Sequence, residues 1–221
     1  MDREKETARI ESFSDGVFAI AITLLVLGIK VPSHEEVAAR GLAQSLTTLW
    51  PSYLAFLTSF LTILVMWVHH HWIFALIKKS DHLFLYWNGL LLLCVTFVPF
   101  PTALLAGYLL HPDAKVAAHL YTGTFLTISL AFHALWRHAS IRLMSTNATI
   151  EKSDEAAQIT NKYRFGPFLY CGAFGVSFAS EAWSVALCLL LALFFAFRGK
   201  PIRSESVMTP STETALPGSS A

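Results

Sequence analysis

Charge is what this chain has least of: only 14% of its 221 residues are Asp, Glu, Lys or Arg, against about a quarter in an ordinary soluble domain. That shortage, beside a hydrophobic share of 54%, excludes a water-soluble globule. The formal net charge is +1 and the basic residues are spread among short polar stretches, so no patch for nucleic acid exists. Cysteine is scarce too. Cys94, Cys171 and Cys188 all fall within apolar segments without a C-x-x-C spacing, and are expected to be small core residues, neither disulfides nor metal ligands. No nucleophile–base pair, glycine-rich phosphate loop or zinc spacing is present, which argues against an enzyme and against a bound cofactor. The start, Met-Asp-Arg-Glu-Lys-Glu, is too acidic for the basic leader of a signal peptide, so the first helix is expected to be retained.

What the chain has in abundance is apolar runs near the roughly 20 residues that cross a bilayer. The pattern predicts an all-α integral membrane protein with six transmembrane helices, near 10–30, 46–72, 82–110, 115–137, 164–180 and 182–198. As a single helix, Phe165 to Phe197 would be about 50 Å long, too much for one crossing, so a hairpin turning at Glu181 is expected. Six crossings place both termini on one side. Arg3, Lys5, Arg9, Lys78, Lys79, Arg137, Arg142, Lys152, Lys162, Arg164, Arg198, Lys200 and Arg203 share that side, and Lys30, Arg40 and Lys115 the other. Both termini are therefore expected in the cytoplasm. Residues 138–163 read as a polar cytoplasmic connection, and the Ser- and Thr-rich tail 201–221 as disordered.

The first helix carries the unusual chemistry. Arg9, Phe13, Ser14 and Asp15 stand at its mouth, and an ionised Asp near bilayer depth is disfavoured by roughly 3 kcal/mol unless it meets water or a partner. At about 100° per residue, Ile20, Thr23, Leu24 and Leu27 share a sector of roughly 100°, with Asp15 roughly opposite. Arg9 is too far round the helix to pair with Asp15. Two readings stay open: Ser14 and Asp15 cap the helix start, or they reach Trp67, His69, His70, His71, Trp72 or Asn88 on the next two helices. Consecutive histidines point about 100° apart and cannot converge on one ion, so interfacial histidines, one of them buried and hydrogen-bonded, are expected in preference to a metal site. Pro99 and Pro101 interrupt the third helix. His133 and His138 read as part of an interfacial belt.

The run Arg9-x-x-x-Phe13-Ser14-Asp15 followed by Gly-Val-Phe-Ala-Ile-Ala-Ile-Thr-Leu-Leu-Val-Leu strongly resembles the signature of the transmembrane protein 175 family, the endolysosomal potassium channels and their prokaryotic relatives. Trp67, His70, Asn88 and Val98-Pro99-Phe100-Pro101-Thr102 extend the likeness over roughly residues 9–105. The resemblance implies a homotetramer of single-repeat, six-helix subunits in the cell membrane, the first helix lining a central pore for potassium ions. It also implies a constriction of apolar side chains five, nine and twelve residues after the motif aspartate, at Ile20, Leu24 and Leu27. Thr23, eight residues after it, would contribute to selectivity, and Ser14 and Asp15 would be tied to His70, Trp67 and Asn88. These favour the network over the cap. The rival functions are a proton channel or proton-coupled transporter relaying through Asp15 and His70, and a membrane enzyme or scaffold, which leaves Asp15 unexplained.

Overall fold

The computed structural model describes residues 2–77, 81–145, 160 and 164–197. The tail 201–221 and most of the connection after residue 145 lie outside the described residues. Every regular element among the described residues is helical: α1 (Asp2–Leu24), which tightens into a 3-10 turn over Leu25–Gly28, α2 (His34–Arg40), α3 (Leu42–Thr47), α4 (Trp50–Leu76), α5 (His82–Phe97), α6 (Pro99–Tyr108), α7 (Ala114–Ser145), α8 (Gly166–Ser177) and α9 (Glu181–Phe197).

Among the described residues, three stretches are long and apolar enough to cross a membrane: Thr7–Gly28, Trp50–Leu76 and His82–Tyr108, with α9 a shorter apolar helix. α7 has 32 residues, about 48 Å at 1.5 Å per residue, and a more polar composition at its far end. α8, with 12 residues, is about 18 Å long and packs against α7 and α9.

Local chemistry fixes the boundaries. The helix read over 46–72 runs Trp50–Leu76, because Pro51 suits the first turn, where its missing N–H costs nothing, and the His69-His70-His71-Trp72 run continues the helix. α1 begins eight residues before position 10 and α7 runs eight beyond 137, since a helix need not stop where its side chains turn polar. α2, absent from the sequence reading, opens on a capping box: Ser33 Oγ accepts from Glu36 N–H (3.2 Å) and Glu36 Oε2 from Ser33 N–H (2.9 Å). Gly41, at φ 81° and ψ 155°, makes the elbow between α2 and α3 in a region of backbone space that is almost glycine-only.

The core joins two groups of helices. Ser14, Phe18, Ala21 and Leu25 form the buried stripe of α1 against α4 and α5 at helical spacing. Tyr121, Phe125, Ile128, Leu135 and Trp136 of α7 fill the space toward α5, α6, α8 and α9. The cysteines divide: Cys188 is buried and Cys94 half-buried, but Cys171 is exposed, which corrects the expectation that all three are core residues. Its apolar surroundings in sequence place it in a helix, and the helix turns it outward.

Candidate functional site

The first half of α1 is held to α4 and α5 by polar contacts. Ser14 is fully buried. Its hydroxyl donates to the Ile10 carbonyl at 2.9 Å and accepts from Asn88 Nδ2 at 3.0 Å. Asn88 Oδ1 then has only acceptor capacity, so His70 Nε2, 2.8 Å away, is the donor. The tautomer follows: in neutral His70 the proton sits on Nε2, and Nδ1, also buried, has no hydrogen-bond partner among the described residues. The chain runs one way, from His70 through Asn88 and Ser14 to the α1 backbone. Phe18 and Phe74 hold the His70 ring at centroid distances of 5.2 and 4.6 Å.

Two further contacts lie at the edge of this clasp. Trp67 Nε1–H donates to Asp15 Oδ1 at 2.9 Å, and His71 Nδ1 meets Glu11 Oε1 at 2.8 Å. Glu11 and Asp15 are one turn apart on α1, Trp67 and His71 one turn apart on α4, so two helices running in opposite directions pair residue for residue. The cap reading falls here, because α1 starts at Asp2 and Ser14 and Asp15 sit in mid-helix. Of the motif residues, Ser14, Asp15, Trp67, His70 and Asn88 come together. Arg9 and Phe13 are exposed and enter none of these hydrogen bonds.

Glu11 was missed by the sequence reading, and His71, named there as a candidate partner of Asp15, meets Glu11 instead; the matching four-residue spacings Glu11–Asp15 and Trp67–His71 were there to be read. Of the three histidines, two are buried, His69 and His70, where one was expected. His138, read as part of an interfacial belt, pairs through Nε2 with Asp81 Oδ1 (2.9 Å), and Asp81 also caps α5 by accepting from Phe84 N–H at 2.9 Å. Among the described residues no three His, Cys, Asp or Glu side chains gather as metal ligands would.

The other face of α1 is apolar and uncovered. Ile20 is 58% exposed, Leu24 42% and Leu27 75%. Thr23 is also exposed, and its hydroxyl donates to the Ile20 carbonyl at 2.9 Å. With its proton committed to the backbone, the Thr23 oxygen offers only lone pairs outward. The 3-10 turn changes the phase of the stripe, because residues three apart eclipse in that geometry. Leu27 therefore comes nearly into line with Leu24, where an unbroken α-helix would offset the two by about 60°.

Comparison with known proteins bears on this arrangement. The family described as "Endosomal/lysosomal potassium channel TMEM175" matches residues 9–99, the stretch holding the clasp and the stripe. A protein of Chamaesiphon minutus named potassium channel Cha6605_3372 is 60% identical over 197 residues, covering 88% of this chain and 96% of its own. The crystal structure described as a lysosomal potassium-selective channel TMEM175 homolog from that organism superposes with a TM-score of 0.81 at 60% identity, over 88% of this chain and 98% of the other. The human endosomal/lysosomal proton channel TMEM175 is 30% identical over 145 residues, 62% of this chain and 29% of that longer protein. Likeness over nearly the whole length of both chains, in sequence and in fold, makes this chain a member of the TMEM175 family of ion channels.

Proposed function

We propose that the chain forms a potassium-preferring cation channel in which four copies of α1 surround a central pore, each subunit crossing the cell membrane six times with both termini in the cytoplasm. One observation carries the reading: α1 is divided into a face pinned through Ser14 to α4 and α5 and an opposite apolar stripe, Ile20, Leu24 and Leu27, that nothing among the described residues covers. The names of the C. minutus relatives support potassium as the ion. The basic residues gathered on the terminal side support the orientation.

The stripe has no oxygen with which to replace an ion's water. A ring of such side chains gates by dewetting when narrow and passes a partly hydrated ion when wider. Thr23, its proton bonded to Ile20, is the side chain on this face able to present lone pairs to a cation. The clasp is not in the ion's path. It fixes the rotation of α1, and so the direction in which the stripe points.

The test is electrical recording from purified protein in a planar bilayer under a potassium gradient. Currents that reverse at the potassium equilibrium potential support the reading, and Ile20→Asn or Leu27→Asn then raises leak or alters selectivity. Unchanged flux and selectivity at both positions overturn the assignment of the stripe to the pore. The human relative's name raises a second reading, a proton path through Asp15 and His70. Reversal that follows the pH gradient would favour it.

A further inference from the structure

The span from His82 to Tyr108 is broken in the middle: α5 ends at Phe97 and α6 begins at Pro99. Pro99 and Pro101 have no N–H, so the carbonyls of Val95 and Phe97 lose their α-helical donors. Val95 is served instead by the Val98 N–H at 3.1 Å, a tighter turn. A break of this kind leaves the second half-helix free to pivot unless something else holds it. A buried hydroxyl chain does so. Thr102 Oγ1–H donates to the Val98 carbonyl (2.8 Å), which leaves Ser59 to donate to Thr102 Oγ1 (2.7 Å) and the Tyr121 hydroxyl to donate to Ser59 Oγ (3.0 Å). All three side chains are almost completely buried, and they bind α6 to α4 and α7 together.

The residue after Thr102 meets the end of α1. A Cβ built on Gly28 would lie 3.3 Å from Ala103 Cβ and 3.4 Å from Ala103 Cα, closer than ordinary contact. Ala103 is otherwise exposed. Gly28 closes the 3-10 turn, directly after Leu27.

We propose that Ala103, held by the Tyr121–Ser59–Thr102 chain, is a positioning residue for the constriction. It sets how near the 3-10 end of α1 comes to α6, and thereby where Leu27 stands relative to the pore axis. This rests on the reading of α1 as the pore helix. Gly28 lets the backbone of α1 approach Ala103 without either having to give, and the proline break supplies a half-helix whose position the hydroxyl chain determines.

The experiment records unitary conductance and the potassium-to-sodium permeability ratio of the full-length protein in planar bilayers, for variants that purify as the same assembly as wild type. Gly28→Ala pushes Leu27 off its position and is expected to change conductance or the ratio by about threefold or more, and adding Ala103→Gly, which removes the methyl it meets, restores both, the coupling expected of residues in contact. Thr102→Val, isosteric but unable to donate to Val98 or accept from Ser59, is expected to shift the same two quantities. If Gly28→Ala does not assemble, Ala103→Gly carries the test beside Ala106→Gly, a control for the backbone freedom that any alanine-to-glycine change gives α6: a change of ratio or conductance specific to Ala103→Gly supports the proposal, and no change, or the same change in both, overturns it. Wild-type behaviour in Gly28→Ala while Leu27→Ala alters conductance overturns the proposal and leaves the pore reading standing. No current from wild type, or no effect of Leu27→Ala, overturns the pore reading and the proposal with it.

Discussion

Replacing Asn88 with leucine removes the middle link between His70 and Ser14 while keeping a side chain of the same branched shape in a site that is 3% exposed. The donor His70 Nε2–H is then buried without an acceptor. Moving the proton to Nδ1 gives no relief, because that nitrogen also lacks a partner among the described residues. An orphaned buried donor costs ~1–3 kcal/mol. Ser14 loses an incoming bond but keeps its own to Ile10, so its share is smaller. Interhelical side-chain bonds in membrane proteins average only about 0.6 kcal/mol, which pulls the expected total to ~2 kcal/mol. The assay is reversible unfolding of purified protein in mixed micelles, followed by the fluorescence of its six tryptophans. The decisive sample is His70→Phe/Asn88→Leu. Phenylalanine keeps the ring between Phe18 and Phe74 and abolishes the orphaned donor, so the double variant is expected to be about 1 kcal/mol more stable than Asn88→Leu alone. A loss below about 0.5 kcal/mol in Asn88→Leu, or a double variant no better than the single, would refute the directed chain.

Other outcomes follow from the same geometry. Gly41→Ala meets no atom within 4 Å, so its cost is pure backbone, ~1–3 kcal/mol at φ 81° and ψ 155°. Since α2 and α3 pack chiefly on each other, that cost is expected as faster amide hydrogen exchange in His34–Thr47 with little change in global unfolding. Asp81→Asn keeps an oxygen for the Phe84 N–H and loses the charge facing His138, about 1 kcal/mol, whereas Asp81→Ala loses the cap as well, about 1 kcal/mol more by the same unfolding assay. Trp67→Phe leaves Asp15 without its indole donor and is expected to cost ~0.5–1.5 kcal/mol, with no further cost when combined with Asp15→Asn.

The two faces of α1 were legible in the sequence because a helix of this length obeys one period, and the phases of Asp15 and Ile20 follow from counting. The break at Pro99 was legible for a similar reason: a missing N–H is a property of the residue itself. Trp67, His70 and Asn88 could be named as donors by type and depth, but their order could not. That His70 reaches Ser14 only through Asn88, and that His71 turns outward to Glu11, depends on how α4 is rotated against α1 and α5. Packing sets that rotation, chiefly Phe18 and Phe74 around the His70 ring. The 3-10 turn was hidden too, since Leu25-Val26-Leu27-Gly28 is an acceptable α-helical sequence.

The span between Ser14 and Asn88 has a meaning for how the protein is made. The two residues are 74 positions apart, and the helix carrying Ser14 and Asp15 leaves the ribosome before the one carrying Asn88. At about 5–20 residues per second, roughly 4–15 s pass before Asn88 is synthesised. During that interval α1 is in or near the bilayer with the Ser14 hydroxyl lacking the Asn88 donor and, until α4 is made, Asp15 lacking Trp67. A variant that slows or misplaces the second and third spans is therefore expected to be cleared as a newly made chain, before any channel forms.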